Sequence, residues 1–113
     1  MTTRADLTIP AGTDWGIECE LLADGQPANL AGYTITARFA RAQGAVSRLT
    51  LTLGNGLTVA GRGVRVALAP AQSRALLAAL GTSGWWQLDV TGPGGRERPY
   101  EGAVTLTGEI RDG

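Results

Sequence analysis

Gly84-Trp-Trp-Gln-Leu-Asp-Val-Thr91, the turn Gly92-Pro-Gly-Gly95, and Arg96-Glu-Arg-Pro-Tyr-Glu-Gly-Ala-Val-Thr-Leu106 decide the fold. They read as two strands joined by a glycine-rich turn. In the first, Trp86, Leu88 and Val90 share one face, while Trp85, Gln87, Asp89 and Thr91 share the other. In the second, apolar Val104 and Leu106 alternate with Thr105 and Thr107. Placing both apolar rows on one face predicts an antiparallel register with Trp86 opposite Val104. Gly102 then lies opposite Leu88 and diagonal to Trp86, where its missing side chain leaves room for the indole. Tyr100 points inward opposite Val90, and Asp89 lies opposite Glu101. Like charges opposed across a ladder cost up to about 1 kcal/mol. Either an arginine such as Arg38 intervenes from the neighbouring strand, or the register differs. Two of the three tryptophans lie in this hairpin, which marks it as the nucleus of the core.

Upstream, residues 4–9 form a first short strand with Leu7 and Ile9 on one face, and Pro10-Ala-Gly12 turns the chain. From Asp14 to Leu22, Trp15, Ile17, Cys19 and Leu21 alternate with outward Glu18 and Glu20. Ala23-Asp-Gly-Gln26 is a turn, and Pro27 to Gly32 is a loop. Tyr33, Ile35, Ala37 and Phe39 then form a second long apolar row, with Arg38 on the wet face. Gln43 to Ser47 is a flexible connection. Arg48 to Leu53 alternates strictly and ends at Gly54-Asn-Gly56. Residues 57–60 and 64–68 pair most economically with each other, because the loop between them is shortest.

Pro70 to Leu80 is the one helical segment. Pro70 suits the first helical position and Gly81 the position beyond the end, and Ser73, Leu76, Leu77 and Leu80 share one side. Ala69 stands where a capping Ser or Asp is expected. The helix is expected to cross from one sheet to the other and plug an open end of the core. Seven to eight short strands with turns about every ten residues and one helix predict a two-sheet antiparallel β-sandwich.

The totals agree. A chain of 113 residues fits a single domain, 1–113, with flexible ends at 1–4 and 109–113. Its 17 glycines are about twice the usual ~7% share, which suits a turn-rich all-β fold. Formal net charge is zero and there is no basic stripe, which argues against nucleic-acid binding. All ten basic residues are arginine. No apolar run approaches the ~18 residues of a membrane span, and the N-terminus lacks the apolar stretch of a signal peptide. A protein made in the cytoplasm without a membrane anchor is the expectation.

No catalytic constellation emerges. There is no histidine, so neither an imidazole base nor a His-ligated metal is available. The lone Cys19 excludes an intrachain disulfide, and its place in the apolar row marks it as a buried thiol. Gly92-Pro-Gly-Gly95 lacks the Gly-Lys-Ser/Thr ending of a phosphate loop. No calcium loop or nucleophile elbow is present. The carboxylates read as a solvated charge ladder. The expectation is no enzyme, no cofactor and no metal. Trp85 faces away from Trp86. It is either a surface anchor for a protein or a sugar ring, or it is covered by the helix or the 43–47 segment.

The order of these elements resembles small tailed-phage virion proteins. Leu7-Thr-Ile-Pro-Ala-Gly-Thr-Asp-Trp15 resembles their opening strand and turn. Asp24-Gly-Gln-Pro-Ala-Asn-Leu-Ala-Gly-Tyr-Thr34 resembles their Asp-Gly-x-Pro-x-Asp-Leu-Thr-Gly-Tyr segment, with Asn29 in place of the second Asp. Gly84-Trp-Trp-Gln-Leu-Asp-Val90 resembles their Gly-x-Tyr-x-Tyr-Asp-Leu strand, with Trp86 and Leu88 in place of the tyrosines. Gly94 through Leu106 resembles their closing hairpin. Such modules form the amino-terminal domain of phage baseplate upper proteins, and the likeness spans about residues 6–107. It implies an immunoglobulin-like β-sandwich, located in a virion or phage-like particle at the baseplate, on the tail, or at the base of a head spike or fibre. It carries over no active residue. The expected function is a non-enzymatic assembly protein that binds other virion subunits, as a homo-oligomer or within a symmetric assembly. Trp85, Asp89, Glu101 and Arg38 are the candidate interface residues. The alternative is a module binding carbohydrate on a host surface through Trp85. The small aromatic share, 5% of the chain, weighs against a stacking platform.

Overall fold

The computed structural model describes residues 2–23, 26–27, 33–60, 63–92 and 95–108. In chain order the elements are β1 (Thr3–Arg4), β2 (Leu7–Pro10), β3 (Trp15–Glu20), β4 (Leu22–Ala23), β5 (Gln26–Pro27), β6 (Thr34–Ala40), β7 (Ser47–Leu53), β8 (Gly56–Ala60), β9 (Gly63–Leu68), α1 (Pro70–Leu80), β10 (Ser83–Gly92) and β11 (Gly95–Thr107). The expected Asp24-Gly25 turn residues, the 28–32 loop and the 109–113 end lie outside the described residues.

The hydrogen-bonded path runs β1-β11-β10-β6-β7-β8-β9-β3, with β2 continuing alongside β11, and β4 pairs with β5 separately. The path folds over at the β7–β8 corner. One layer holds β1/β2, β11, β10, β6 and β7; the other holds β8, β9 and β3. With β1 and β2 taken as one interrupted strand, the two layers contain eight strands among the described residues. The corner is tight. Thr52 and Asn55 exchange backbone hydrogen bonds at 3.1 and 2.9 Å, and the Gly54 N–H donates to the Leu57 carbonyl at 2.9 Å. Gly54 and Gly56 adopt φ of 84° and 92°, a region that disfavours other residues. The expected pairing of 57–60 with 64–68 is present, with Leu57 opposite Val66 and Val59 opposite Val64. This strand order is the immunoglobulin-like arrangement.

The sandwich is not wholly antiparallel. Thr3–Arg4 and Leu7–Pro10 run parallel to β11 in one continuous register, from Thr3 opposite Tyr100 to Pro10 opposite Thr107. Residues 3 and 4 are therefore strand, not a flexible end. Even-spaced apolar residues hold the strand in place, because Leu7 and Ile9 are buried.

Alternation becomes core as the sequence reading requires. Trp86, Leu88, Val104, Leu106, Ile35, Ala37, Phe39 and Cys19 join Leu57, Val64, Val66 and Leu68 in one cluster drawn from both layers. Trp86 is fully buried and lies against Phe39, with ring centroids 6.4 Å apart at 25°. Burying a tryptophan in this way contributes on the order of 3 kcal/mol or more.

The closing hairpin differs in register from the sequence expectation. Trp86 lies opposite Gly102, Leu88 opposite Tyr100 and Gln87 opposite Glu101, so Asp89 does not face Glu101. Gly92 pairs with Gly95, and the ladder shifts between Leu88 and Val90. The extra residue falls on β11 near Pro99, which has no N–H to give a ladder. From Ser83 to Leu88 the slip from the expected register is two residues, an even number, so these side chains keep their faces, whereas beyond the shift it is three. Tyr100 points inward as expected, but opposite Leu88.

Gly102 also plays a different part. A Cβ there would collide with the Ala5 carbonyl, so the glycine admits the N-terminal backbone and not the indole. The two are linked all the same. The Ala5 carbonyl accepts the Trp86 indole N–H at 2.7 Å, and the Ala5 N–H donates to the Glu101 carbonyl at 2.9 Å.

Helix α1 covers the expected residues and connects β9 in one layer to β10 in the other. Its missing cap is supplied in reverse: the Gln72 side-chain Oε1 accepts the Ala69 N–H at 2.9 Å. Leu76 and Leu80 enter the core. The buried Ser73 hydroxyl accepts the Gly12 N–H at 2.9 Å and fastens the helix to the β2–β3 turn.

The Gly102→Ala variant is expected to lose about 2 kcal/mol or more, through displacement of Ala5 and loss of the Trp86 hydrogen bond. Urea denaturation followed by tryptophan fluorescence measures this, and an unchanged midpoint would refute the close approach.

Candidate functional site

The outer face of β6, β10 and β11 follows from the period of two. Once Leu88 and Trp86 point inward, Asp89, Gln87 and Trp85 must point out. On β6 the same rule turns Arg38 outward, and Asp89 lies opposite Thr36 across the β6–β10 ladder. On β11 it places Glu101 beside Gln87, and the shift near Pro99 swings Arg98 and Arg96 toward Asp89.

These residues make one cluster. The Asp89 carboxylate accepts from Arg96 Nη2 at 2.7 Å, Arg98 Nε at 2.9 Å, Gln87 Nε2 at 2.7 Å and Arg38 Nη1 at 3.2 Å. Its side chain is only 2% exposed, while those of Arg38, Arg96 and Arg98 are 37%, 54% and 37% exposed. Asp89 is thus a buried anion roofed by three wetter cations. Burial alone pushes its carboxyl up. The hydrogen bonds from Arg96, Arg98 and Gln87 and the Arg96 charge outweigh burial and hold it below the usual 3.8. Glu101 lies 3.8 Å from Arg98 Nη1, and its carboxylate accepts from Gln43 Nε2 at 3.5 Å.

Trp85 borders this cluster. Arg38, Ser47, Gln87 and Arg98 line a groove of about 280 Å³ with it, beside the 42–45 segment. The Arg4 guanidinium sits 4.9 Å from the centre of its ring. The indole nitrogen is buried and has no hydrogen-bond partner among the described residues. With its ring half-buried and topped by Arg4, Trp85 is not an open platform for a sugar. Arg4 is held by Asp6, whose Oδ1 also accepts the Ala103 N–H at 2.9 Å.

All four sequence candidates, Trp85, Asp89, Glu101 and Arg38, therefore share one face. Arg96, Arg98 and Gln87 were missed as partners of Asp89. Their signal was present in Arg96-Glu-Arg98, two arginines at strand spacing opposite a carboxylate, but the expected register put Glu101 there instead. Asp89, expected on an exposed face, is buried because these partners close over it.

Cys19 is buried, and burial pushes its thiol up to about 11, which keeps it protonated and unreactive. Among the described residues, no three His, Cys, Asp or Glu side chains converge as a metal site. The Tyr100 hydroxyl donates to the Glu20 carbonyl at 2.8 Å, tying β11 to β3 in the other layer.

No protein-family model matches the chain, and no curated protein matches it. Solved structures do. The extracellular domains of the voltage-gated sodium channel beta4 subunit are similar over 97% of this chain and 96% of theirs, at 8% identity and a TM-score of 0.51. The first Ig-like domain of human CD48 is similar over 99% of this chain and 88% of its own, at 6% identity and a TM-score of 0.47. A structure of voltage-gated sodium channel beta subunits shares 9% identity over 96% of this chain and 93% of its own, with a TM-score of 0.48. At these identities the beta4 likeness shows the fold, an immunoglobulin-like β-sandwich.

Asp89→Asn is expected to cost about 2 kcal/mol at neutral pH. This is less than the ~3–5 for breaking a fully buried pair, because the three arginines remain partly solvated. The sign with pH follows from the lowered value. Asp89 contributes fully above 3.8 and loses its contribution as pH falls through the still lower value of the folded state. Urea denaturation from pH 7 to 2 should show a steeper acid loss for the native chain than for Asp89→Asn.

Proposed function

We propose that this chain is a non-enzymatic structural protein of a tailed-phage, prophage or gene-transfer particle. It binds neighbouring subunits at the baseplate, on the tail, or at the base of a head spike or fibre. The observation that carries this reading is the order and spacing of Leu7–Trp15, Asp24–Thr34, Gly84–Val90 and Gly94–Leu106, which resemble one class of virion module across nearly the whole chain. An immunoglobulin-like sandwich is the fold that resemblance implies, and it is the fold observed.

The outer face of β6, β10 and β11 suits a binding role better than a catalytic one. Its carboxylate is ionised and spent on three arginines, so it offers no free acid or base. Arginine is the cation best suited to interface contacts, because its planar fork holds carboxylates in two places at once. Trp85, Arg38, Asp89 and Glu101 form the centre of this interface. The fold itself supports self-association in the beta4 extracellular domains, which form parallel homodimers. Multivalent packing in a symmetric particle supplies affinity that no single face provides.

Particles purified from a host that encodes the chain should contain its peptides by mass spectrometry, in constant ratio to the other structural proteins through a density gradient. Particles free of the chain would contradict the proposal.

A further inference from the structure

The chain as a whole has no net charge, yet the charges on the β6–β10–β11 face do not balance. Arg38, Arg96 and Arg98 surround Asp89, and Glu101 stands 3.8 Å from Arg98. Three guanidiniums against two carboxylates leave a positive surplus. Donors are left over as well. A guanidinium carries several N–H groups; Arg38 gives Nη1 to Asp89 and Arg98 gives Nε. Both arginine side chains are 37% exposed.

The same two arginines and Gln87 line the groove of about 280 Å³ together with Trp85, Ala40 and Ala45. That volume lies just below the ~300–1,000 Å³ of small-molecule sites, so the groove suits a side chain better than a cofactor. The lining asks for an apolar stem ending in a planar anion, which describes a glutamate or, with a shorter stem, an aspartate. A carboxylate meets a guanidinium through two parallel hydrogen bonds. A phosphate dianion is a poorer match, because its second charge would stand near Asp89 and Glu101 with no cation left to answer it.

We infer that this groove takes the carboxylate side chain of an acidic segment on a different subunit, held by Arg38 and Arg98 with its stem against Trp85. The inference rests on the assembly reading above and adds the chemistry of the partner. A second copy of the chain is the poorer source of that acid, since Asp6, Glu18, Asp89 and Glu101 each already stand beside an arginine of their own chain.

NMR titration of the chain with acetyl-glutamate amide tests this, read at the arginine Nε–H signals of Arg38 and Arg98 and the indole N–H of Trp85. These signals should shift saturably. The glutamine analogue, equal in size but neutral, should bind at least about tenfold more weakly. The phosphoserine analogue, with about −1.5 to −2 charge at pH 7, should also bind more weakly. Ala45→Glu places a carboxylate in the groove from an exposed position outside the Asp89 hydrogen bonds. It should remain folded by circular dichroism and bind the glutamate probe at least about tenfold more weakly. Arg38→Gln leaves Asp89 its shorter hydrogen bonds from Arg96, Arg98 and Gln87, and should weaken binding in the same way. Signals that do not move, a phosphoserine analogue that binds as tightly as the glutamate, or Ala45→Glu binding like the native chain would overturn the inference. So would self-association in sedimentation velocity that Ala45→Glu abolishes, because a second copy then fills the groove. Each of these results leaves the particle assignment standing, since that depends on the composition of purified particles.

Discussion

A single buried carboxylate organises the front sheet of this molecule. Asp89 lies on β10 and draws Arg38 from β6 and Arg96 and Arg98 from β11, so three adjacent strands are joined on the outer face by one anion. Leaving that charge unpaired would cost several kcal/mol. The pairing also explains the irregular ladder. Both Arg96 and Arg98 reach the same side chain because β11 slips by one residue near Pro99. The apolar side of these strands holds Trp86 against Phe39, so the hairpin is fixed on both faces at once, by packing within and by charge without.

Much of the fold was legible because period-two alternation is a direct record of burial. The rows of Trp86 and Leu88, of Ile35, Ala37 and Phe39, and of Leu7 and Ile9 all reach the core as read. The helix bounds were legible for a different reason: Pro70 and Gly81 mark backbone geometry. Register was not legible. Two apolar rows can be matched at any even offset, and only the tight Gly92–Gly95 pairing together with the shift near Pro99 selects the one observed. Parallel pairing of the first strand was hidden as well, since alternation says which face is buried but not which neighbour lies alongside.

The same distinction applies to the site. The outward direction of Trp85, Asp89, Glu101 and Arg38 was readable, but the depth of Asp89 was not. Burial of a polar residue depends on what closes over it, and Arg96 and Arg98 do so only in the observed register. Gly102 makes the point at the level of one residue. A strand glycine signals a close approach, but the approaching group is the Ala5 carbonyl, from a segment about a hundred residues away in sequence. That carbonyl then completes the hydrogen bonding of Trp86, so the N-terminal strand, the glycine and the core tryptophan form one unit.

A sheet face built in this way is charged, with its buried acid already committed to three arginines. The three-arginine cluster depends on Asp89 remaining ionised while buried. Carbon-13 NMR of the side-chain carboxyls during a pH titration measures this directly. The Asp89 resonance should titrate below 3.8, with the arginine side-chain signals of Arg96 and Arg98 shifting in the same step. An Asp89 carboxyl titrating above 3.8 would show that burial prevails over the three arginines and would contradict the account.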